Sequence, residues 1–499
     1  DEIDAMHNTD TETDVSQLRL TLLTRSLHPV PNYWRRVMEP EDTEPALDDW
    51  DQRERRSAAL LAVASASPDR NVAAWWRECE LNPHLGGLGL GGQRAGARAA
   101  RAACVLQAAP QLRETCVLLH DLDVTTTELP MFARARDSYE ALRSQRDSIA
   151  ALYDKLDGSF YFRILGDKRS YFRPASLPRS TTLPAIAQLF DPSSTSRIPA
   201  QRALAQVVQH QRWLQVYDAA QQARDIDHPH PTTRNREATR VIANAQEGAD
   251  SVVTLVPDGT YHTKIQSSHL QHHLQRRGGL DISSAKAAHD AQEAKGEQVD
   301  RKGDDLVNST EMNRRHNGVL RAAHRMISAV AIGPVVLGDK GCPEDTAHIN
   351  STHVLDLAEL GGDEETGGDV IYEVKVPSVL KKKYSAGQGS REGGGQPASM
   401  GHVIGLGSTE EEFTRTVFGC KGRGRPSDGP FDHRTGKGWV KEAAGQYADA
   451  LNKRTKVHLL LVESTGGVSR GTRAAVRQLG KRAEGKGAID RTKYGLSRM

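Results

Sequence analysis

The chain reads as a multi-domain protein, with a mainly α-helical N-terminal half followed by an α/β domain built on a mixed central sheet. Three observations point there. At 499 residues there is room for about two to four domains. From Leu18 to about Ala223, apolar residues recur at three- and four-residue spacing, as amphipathic helices require. From Asn308 the pattern changes: one helix is followed by three short alternating runs rich in Val and Ile, and a fourth lies near the C-terminus.

Composition narrows the class. Hydrophobic content of 37% and aromatic content of 5% are low, and mean hydropathy is −0.57, so a core over the whole length is not expected and linkers are. The net charge of +2 conceals an uneven spread. Residues 1–16 carry six acids and no Lys or Arg, whereas 451–499 carry twelve Lys and Arg against three acids. A basic end suits nucleic acid, and a solvated face is the plainer alternative. Five scattered cysteines, never spaced as CxxC, imply a reducing, intracellular compartment and exclude a disulfide framework or a Cys-based zinc module. No apolar run reaches membrane-spanning length and the acidic N-terminus is no signal peptide, so no membrane is expected. A start at Asp1 rather than Met is what a fragment of a longer product would show.

Taken in order, residues 1–16 are expected to be a disordered lead. Residues 17–150 read as a helical region, through LRLTLLTRSL, VPNYWRRVMEP and ALDDWDQRERRSAALLAVASA, with Trp34, Trp50, Trp75 and Trp76 as core anchors. In HLGGLGLGGQRAG, Gly87, Gly89 and Gly92 match GxGxxG. No strand precedes them and no suitably placed acid follows, so a Gly-rich loop breaking into a tightly packed helix is preferred over a dinucleotide site. Residues 151–280 read as a helical connecting region, which includes Gln201–Ala223 and a strand-like start at SVVTLVPDG. His269 and His273 could share a metal at i,i+4 spacing, but without HExxH or a nearby Cys a solvated His-rich face is preferred. Residues 281–307 form a charged linker, 308–485 the α/β domain and 486–499 a basic tail.

Within 308–485, the helix STEMNRRHNGVLRAAHRMISAV places Val319, Leu320, Ala323, Met326 and Ile327 on one side. Strands are predicted at AIGPVVLG, THVLDLAEL, DVIYEVKVP and VHLLLVES, with a closing helix at SRGTRAAVRQLGKRAEG. In DVIYEVKVP the alternation puts Tyr372, Val374 and Val376 on one face and Ile371, Glu373 and Lys375 on the other. Charged pairs rarely sit on buried strands unless they are paired or bind a metal. Asp356 is expected mid-strand, with sixteen residues between it and Glu373.

An Asp on one strand and an E-x-K on the next, in this element order, resembles the PD-(D/E)XK nuclease superfamily of restriction-endonuclease-like folds. More widely, the chain resembles the region downstream of the polymerase in non-LTR-type retroelement polyproteins of algae and protists. VPNYWRRVMEP and HLGGLGLGG look like the short motifs after the reverse-transcriptase palm and thumb. EGADSVVTLVP with SSHLQHHLQRRGGL resembles the connecting segment, and RRHNGVL (Arg314–Leu320) the Arg-His-Asn start of the nuclease domain. YEVKVPSVL, HVIGLGSTEEEF, GQYADAL and VHLLLVESTGG resemble later blocks in the same order. Two departures stand out: 281–315 holds no cysteine, so a zinc knuckle is not expected, and no YxDD-like polymerase signature is visible.

The resemblance implies a metal-dependent DNA endonuclease that nicks target DNA by phosphodiester hydrolysis. Asp356 and Glu373 would hold Mg²⁺ or Mn²⁺, with Lys375 stabilising charge and Gln446 near the phosphate. Arg315, His316, Lys381, Lys382, Lys383 and Tyr447 would meet nucleic acid. Packing for Tyr447, helix capping for Arg315 with His316, and a solvated loop for the lysines are the plainer alternatives. The partners implied are DNA, or an RNA/DNA hybrid, and an upstream reverse transcriptase in a longer polyprotein, acting in the nucleus if the source is eukaryotic. Two rival readings stay open. One is a catalytically inactive nucleic-acid-binding retroelement remnant; the other is a helical scaffold in which the Asp…Glu-x-Lys match is accidental.

Overall fold

In a computed structural model the described residues are helix-rich and carry one small mixed sheet of four strands. The structure describes residues 15–62, 71–115, 123–158, 183–191, 193, 201–222, 236–245, 249–254, 265, 267–282, 290–291, 293–296, 311–338, 355–377, 447, 455–463 and 465–485. Most of the expected disordered lead, charged linker and basic tail therefore lies outside the described residues, although Val15 and Ser16 already belong to the first helix.

The chain divides into two compact units. One comprises Asp1–Phe162, Asp167–Ile226 and Asp250–Lys302; the other comprises Arg163–Gly166, Asp227–Ala249 and Gly303–Met499. The helices, in chain order, are α1 (Val15–Leu22), α2 (Asn32–Val37), α3 (Pro40–Ala62), α4 (Asn71–Cys79), α5 (Gln93–Thr115), α6 (Pro130–Gly158), α7 (Ile186–Phe190), α8 (Gln201–Gln222), α9 (Arg236–Asn244), α10 (Ser251–Thr254), α11 (Ser267–Arg277), α12 (Glu311–Ser328) and α13 (Arg470–Gly485). SVVT, whose β-branched residues suggest a strand, instead forms the helical turn α10. The Asp250 carbonyl accepts from the N–H groups of Val253 and Thr254 there, a local bond that outweighs propensity.

In the first unit, Leu20, Leu23, Leu61, Trp75, Trp76, Leu88, Leu90, Leu270 and Leu274 pack into one apolar cluster. Each such side chain stabilises the fold by about 1.5–3 kcal/mol relative to exposure. Trp75 and Trp76 are thus core anchors as expected. Trp50 is half-buried and Trp34 points outward, because the six-residue α2 buries none of its residues.

The glycine-rich loop gives its N–H groups to this chain's own carboxylates. Gly91 N donates to Glu54 at 2.6 Å, while Gln93 N and Arg94 N donate to Asp51 at 3.0 and 3.3 Å. Asp51 and Glu54, from α3, thereby occupy the anion-attracting start of α5, where a phosphate would have to sit. Burial, more than any neighbour, raises the Asp51 pKa. Gly91 has φ 75, and a β-carbon there would stand 2.7 Å from the Trp76 ring. That position needs glycine twice over.

The second unit holds α9, α12, the sheet and α13. Its strands are β1 (Val335–Leu337), β2 (Leu357–Glu359), β3 (Val370–Lys375) and β4 (Lys456–Leu461), ordered β1-β2-β3-β4. The first two pairings are antiparallel and β3–β4 is parallel. One sheet face is apolar. There Leu357, Val370, Tyr372, Val374 and Leu460 meet Ala323 and Ile327 of α12 and Ala475, Leu479 and Ala483 of α13. Val319, Leu320 and Met326 pack against the same cluster, so α12 turns inward the side that its periodicity marks.

Candidate active site

Strand alternation sets the site. Leu357 pairs with Tyr372, so Asp356, one residue before β2, stands opposite Glu373 on the face away from the apolar cluster. Asp356 is therefore not mid-strand as expected but at the entry to β2. Its backbone still joins the edge of the ladder, since its carbonyl accepts from Gly338 N at 3.2 Å. Lys375 lies two residues beyond Glu373 on the same face of β3, against Leu461 of β4.

Glu373 is only 1% exposed, and both of its carboxylate oxygens are engaged. The Lys375 ammonium donates to Oε1 and the Tyr447 hydroxyl donates to Oε2. Pairing of this kind lets a buried carboxylate remain charged. Tyr447 is fully buried. Burial, then the Glu373 charge, drives the phenol pKa far up, so Tyr447 acts as a donor. It therefore stands with the carboxylates and is closed to a nucleic-acid strand.

Asp356 is fixed from two sides. Val374 N donates to Oδ2 at 2.7 Å, and His316 Nε2 stands 3.4 Å from the same oxygen and 3.1 Å from the Val374 carbonyl. The Nε2–H of His316 thus bridges carboxylate and backbone. The hydrogen bond to Asp356 is the largest influence on the imidazole and raises its pKa. Far from merely opening the helix, His316 ties α12 to the acid pair.

Asp356, Glu373, Lys375, Tyr447 and His316 are therefore brought together. Arg315 lies one residue before His316 on α12. Gln446, Lys381, Lys382 and Lys383 lie outside the described residues, so their expected roles at a phosphate or a DNA backbone have no counterpart here.

The other sheet face holds a polar group that sequence reasoning missed. Glu359 is wholly buried and accepts from Arg482 Nη1 at 3.1 and 2.9 Å, from Tyr372 OH at 3.2 Å and from Ile332 N at 2.8 Å. Its place beside Leu357 in LDLAEL was the only signal, since Leu357 and Glu359 must share a face. Beyond β2, Asp363 is buried rather than solvated. Its carboxylate shapes the turn by accepting from Glu365 N and Thr366 Oγ1. Asp369 accepts from Gly361 N at 2.9 Å, which makes it part of the same turn.

The donor chemistry at Asp356 and Glu373 suits a hard divalent cation. Mg²⁺ needs only one or two carboxylates, with water and substrate phosphate completing its shell. Each carboxylate here retains acceptor capacity beyond the bonds it makes. Among the described residues, no group of three or more His, Cys, Asp and Glu side chains is arranged to hold a metal. Among those residues, too, no helix is long and apolar enough to cross a membrane. No family model, curated protein or solved structure matches the chain.

Proposed function

We propose that this chain is a metal-dependent DNA endonuclease that nicks its target by phosphodiester hydrolysis, on a restriction-endonuclease-like fold within a multi-domain, retroelement-derived polyprotein fragment. The observation that carries the reading is the meeting of Asp356 and Glu373 across β2 and β3, with the Lys375 ammonium on Glu373. Asp356 and Glu373 would hold Mg²⁺ or Mn²⁺, which would supply charge stabilisation at the scissile phosphate and make a water more acidic.

The remaining work falls to the chain. Val374 N–H and His316 hold the Asp356 carboxylate in one orientation, so it need not reorganise as negative charge develops. The Lys375 side chain is 23% exposed, so its ammonium can leave Glu373 for a non-bridging phosphate oxygen as that oxygen gains charge. Tyr447 keeps the second Glu373 oxygen in place. Gln446 near the phosphate and Arg315, Lys381, Lys382 and Lys383 along the DNA backbone complete the proposal. A cellular setting with access to DNA, the nucleus in a eukaryote, follows from it.

One observation favours the rival reading, a catalytically inactive nucleic-acid-binding remnant: each oxygen of Glu373 already accepts one hydrogen bond, from Lys375 or Tyr447, with which a metal would compete. Plasmid nicking decides between the two. The proposal expects relaxation of supercoiled DNA with Mg²⁺ or Mn²⁺, and its loss in Asp356→Asn, Glu373→Gln and Lys375→Ala. Nicking that survives all three substitutions would move the chemistry elsewhere. Binding without nicking by the unmodified chain would make it the remnant.

A further inference from the structure

We propose that α2 carries a stacking platform for single-stranded nucleic acid, formed by Tyr33 and Trp34 with Arg36 beside them. Tyr33 is 65% exposed and Trp34 54%, and their rings meet edge to face, with centroids 5.8 Å apart and planes at 78°. Val30, Val37 and Met38 are exposed around them. Lone exposed apolar residues are ordinary, but five within nine residues, on and beside one short helix, mark a surface that something covers.

The helix is held so that this face stays outward. Arg35 turns inward and donates to Gln93 Oε1, and Arg101 Nη1 donates to the Arg36 carbonyl at 3.3 Å. These contacts fix the backbone and leave the aromatic rings free, which gives a preorganised rather than an induced platform.

Charge selects the occupant. Residues 15–38 hold no Asp or Glu, and of their four arginines Arg25 and Arg36 are exposed. Among the described residues neither Arg25 nor Arg36 has an acidic partner, and Arg25 gives its hydrogen bond to a neutral carbonyl, that of Thr254, at 3.2 Å. The nearest acid in sequence, Glu39, is already bound by Arg101 at 2.8 Å and Arg134 at 3.5 Å. Exposed aromatic rings on the same short helix as the exposed guanidinium of Arg36 match unpaired bases joined by phosphates: the bases stack and a phosphate neutralises the arginine. An apolar protein partner would leave that positive charge unmet. A duplex keeps its bases stacked on one another, so it cannot use the rings. This surface belongs to the first unit and does not rest on the nuclease reading.

The test measures binding of fluorescein-labelled oligothymidylate and oligouridylate to the full chain by anisotropy, in EDTA so that cleavage plays no part. Tyr33→Ala and Trp34→Ala should each weaken both oligonucleotides by about 5- to 150-fold. Trp34→Phe should retain most of the affinity, and Arg36→Ala should reduce the salt dependence by about one phosphate contact. Affinity for a blunt duplex should not change in any variant. These positions are exposed, so circular dichroism should show all variants folded. Unchanged oligonucleotide binding in both Tyr33→Ala and Trp34→Ala overturns the proposal. So does a loss of self-association, or of binding to anionic vesicles, in those variants while oligonucleotide affinity stays the same; either result would name a second copy or a lipid surface as the occupant.

Discussion

Tyr447 gives its hydroxyl to the carboxylate of Glu373, and neither side chain is open to water. Replacing Tyr447 with Phe keeps the packing and removes the donor. A hydrogen bond to a charged group contributes about 1.5–3 kcal/mol, so Tyr447→Phe should lower stability in urea by about that amount. If the ring serves packing alone, the loss should fall below about 0.5 kcal/mol.

Arg482 neutralises Glu359 on the opposite sheet face, with the carboxylate fully enclosed. Arg482→Met leaves that charge without its partner and should destabilise the second unit by about 3–5 kcal/mol. Adding Glu359→Leu removes the stranded charge, so the double variant should recover much of the loss. A double-mutant cycle by chemical denaturation reads the difference.

Stability should fall on mild acidification. Burial is the main cause that lowers the pKa of His458 to about 3, of His273 to about 3 and of His210 to about 4, from an ordinary 6.5. Around His458, Lys456 and Arg482 push the same way and Asp363 opposes them. The unfolded chain binds these protons below about pH 6.5 while the folded chain refuses them. The stability is thus complete above 6.5 and is lost as pH drops towards 3–4, at up to about 1.4 kcal/mol per pH unit for each histidine. His458 stacks on Tyr372, with centroids 5.3 Å apart, so Phe can take its place. Urea midpoints at pH 7 and pH 5 should move closer together in His458→Phe than in the unmodified chain.

Gly91→Ala adds a methyl where φ is 75 and the Trp76 ring lies 2.7 Å away. Strain of this kind costs about 1–3 kcal/mol. The midpoint of thermal unfolding should fall, and an unchanged midpoint would mean that the loop rebuilds itself.

What the sequence revealed follows physical range. The period-two alternation of Ile371, Glu373 and Lys375 is local, so their common face was readable, and the three- and four-residue spacing of α12 likewise marked its buried side. Asp356 was found as a partner of Glu373, although its placement mid-strand was off, because strand ends leave little trace in sequence. Glu359 escaped notice because its partner, Arg482, is 123 residues away, and no local rule connects them. Trp34 read as a core anchor because composition identifies a bulky ring without saying which way a six-residue helix turns it.

The two ties that complete the acid pair differ greatly in sequence separation. Asp356 reaches Val374 across 18 residues, whereas Tyr447 reaches Glu373 across 74. Closing the longer loop costs about 1.3 kcal/mol more in chain entropy. The acid pair is therefore a short-range product of folding, formed with the antiparallel β2–β3 pairing. Tyr447 and the parallel strand β4 join that pair from far along the chain.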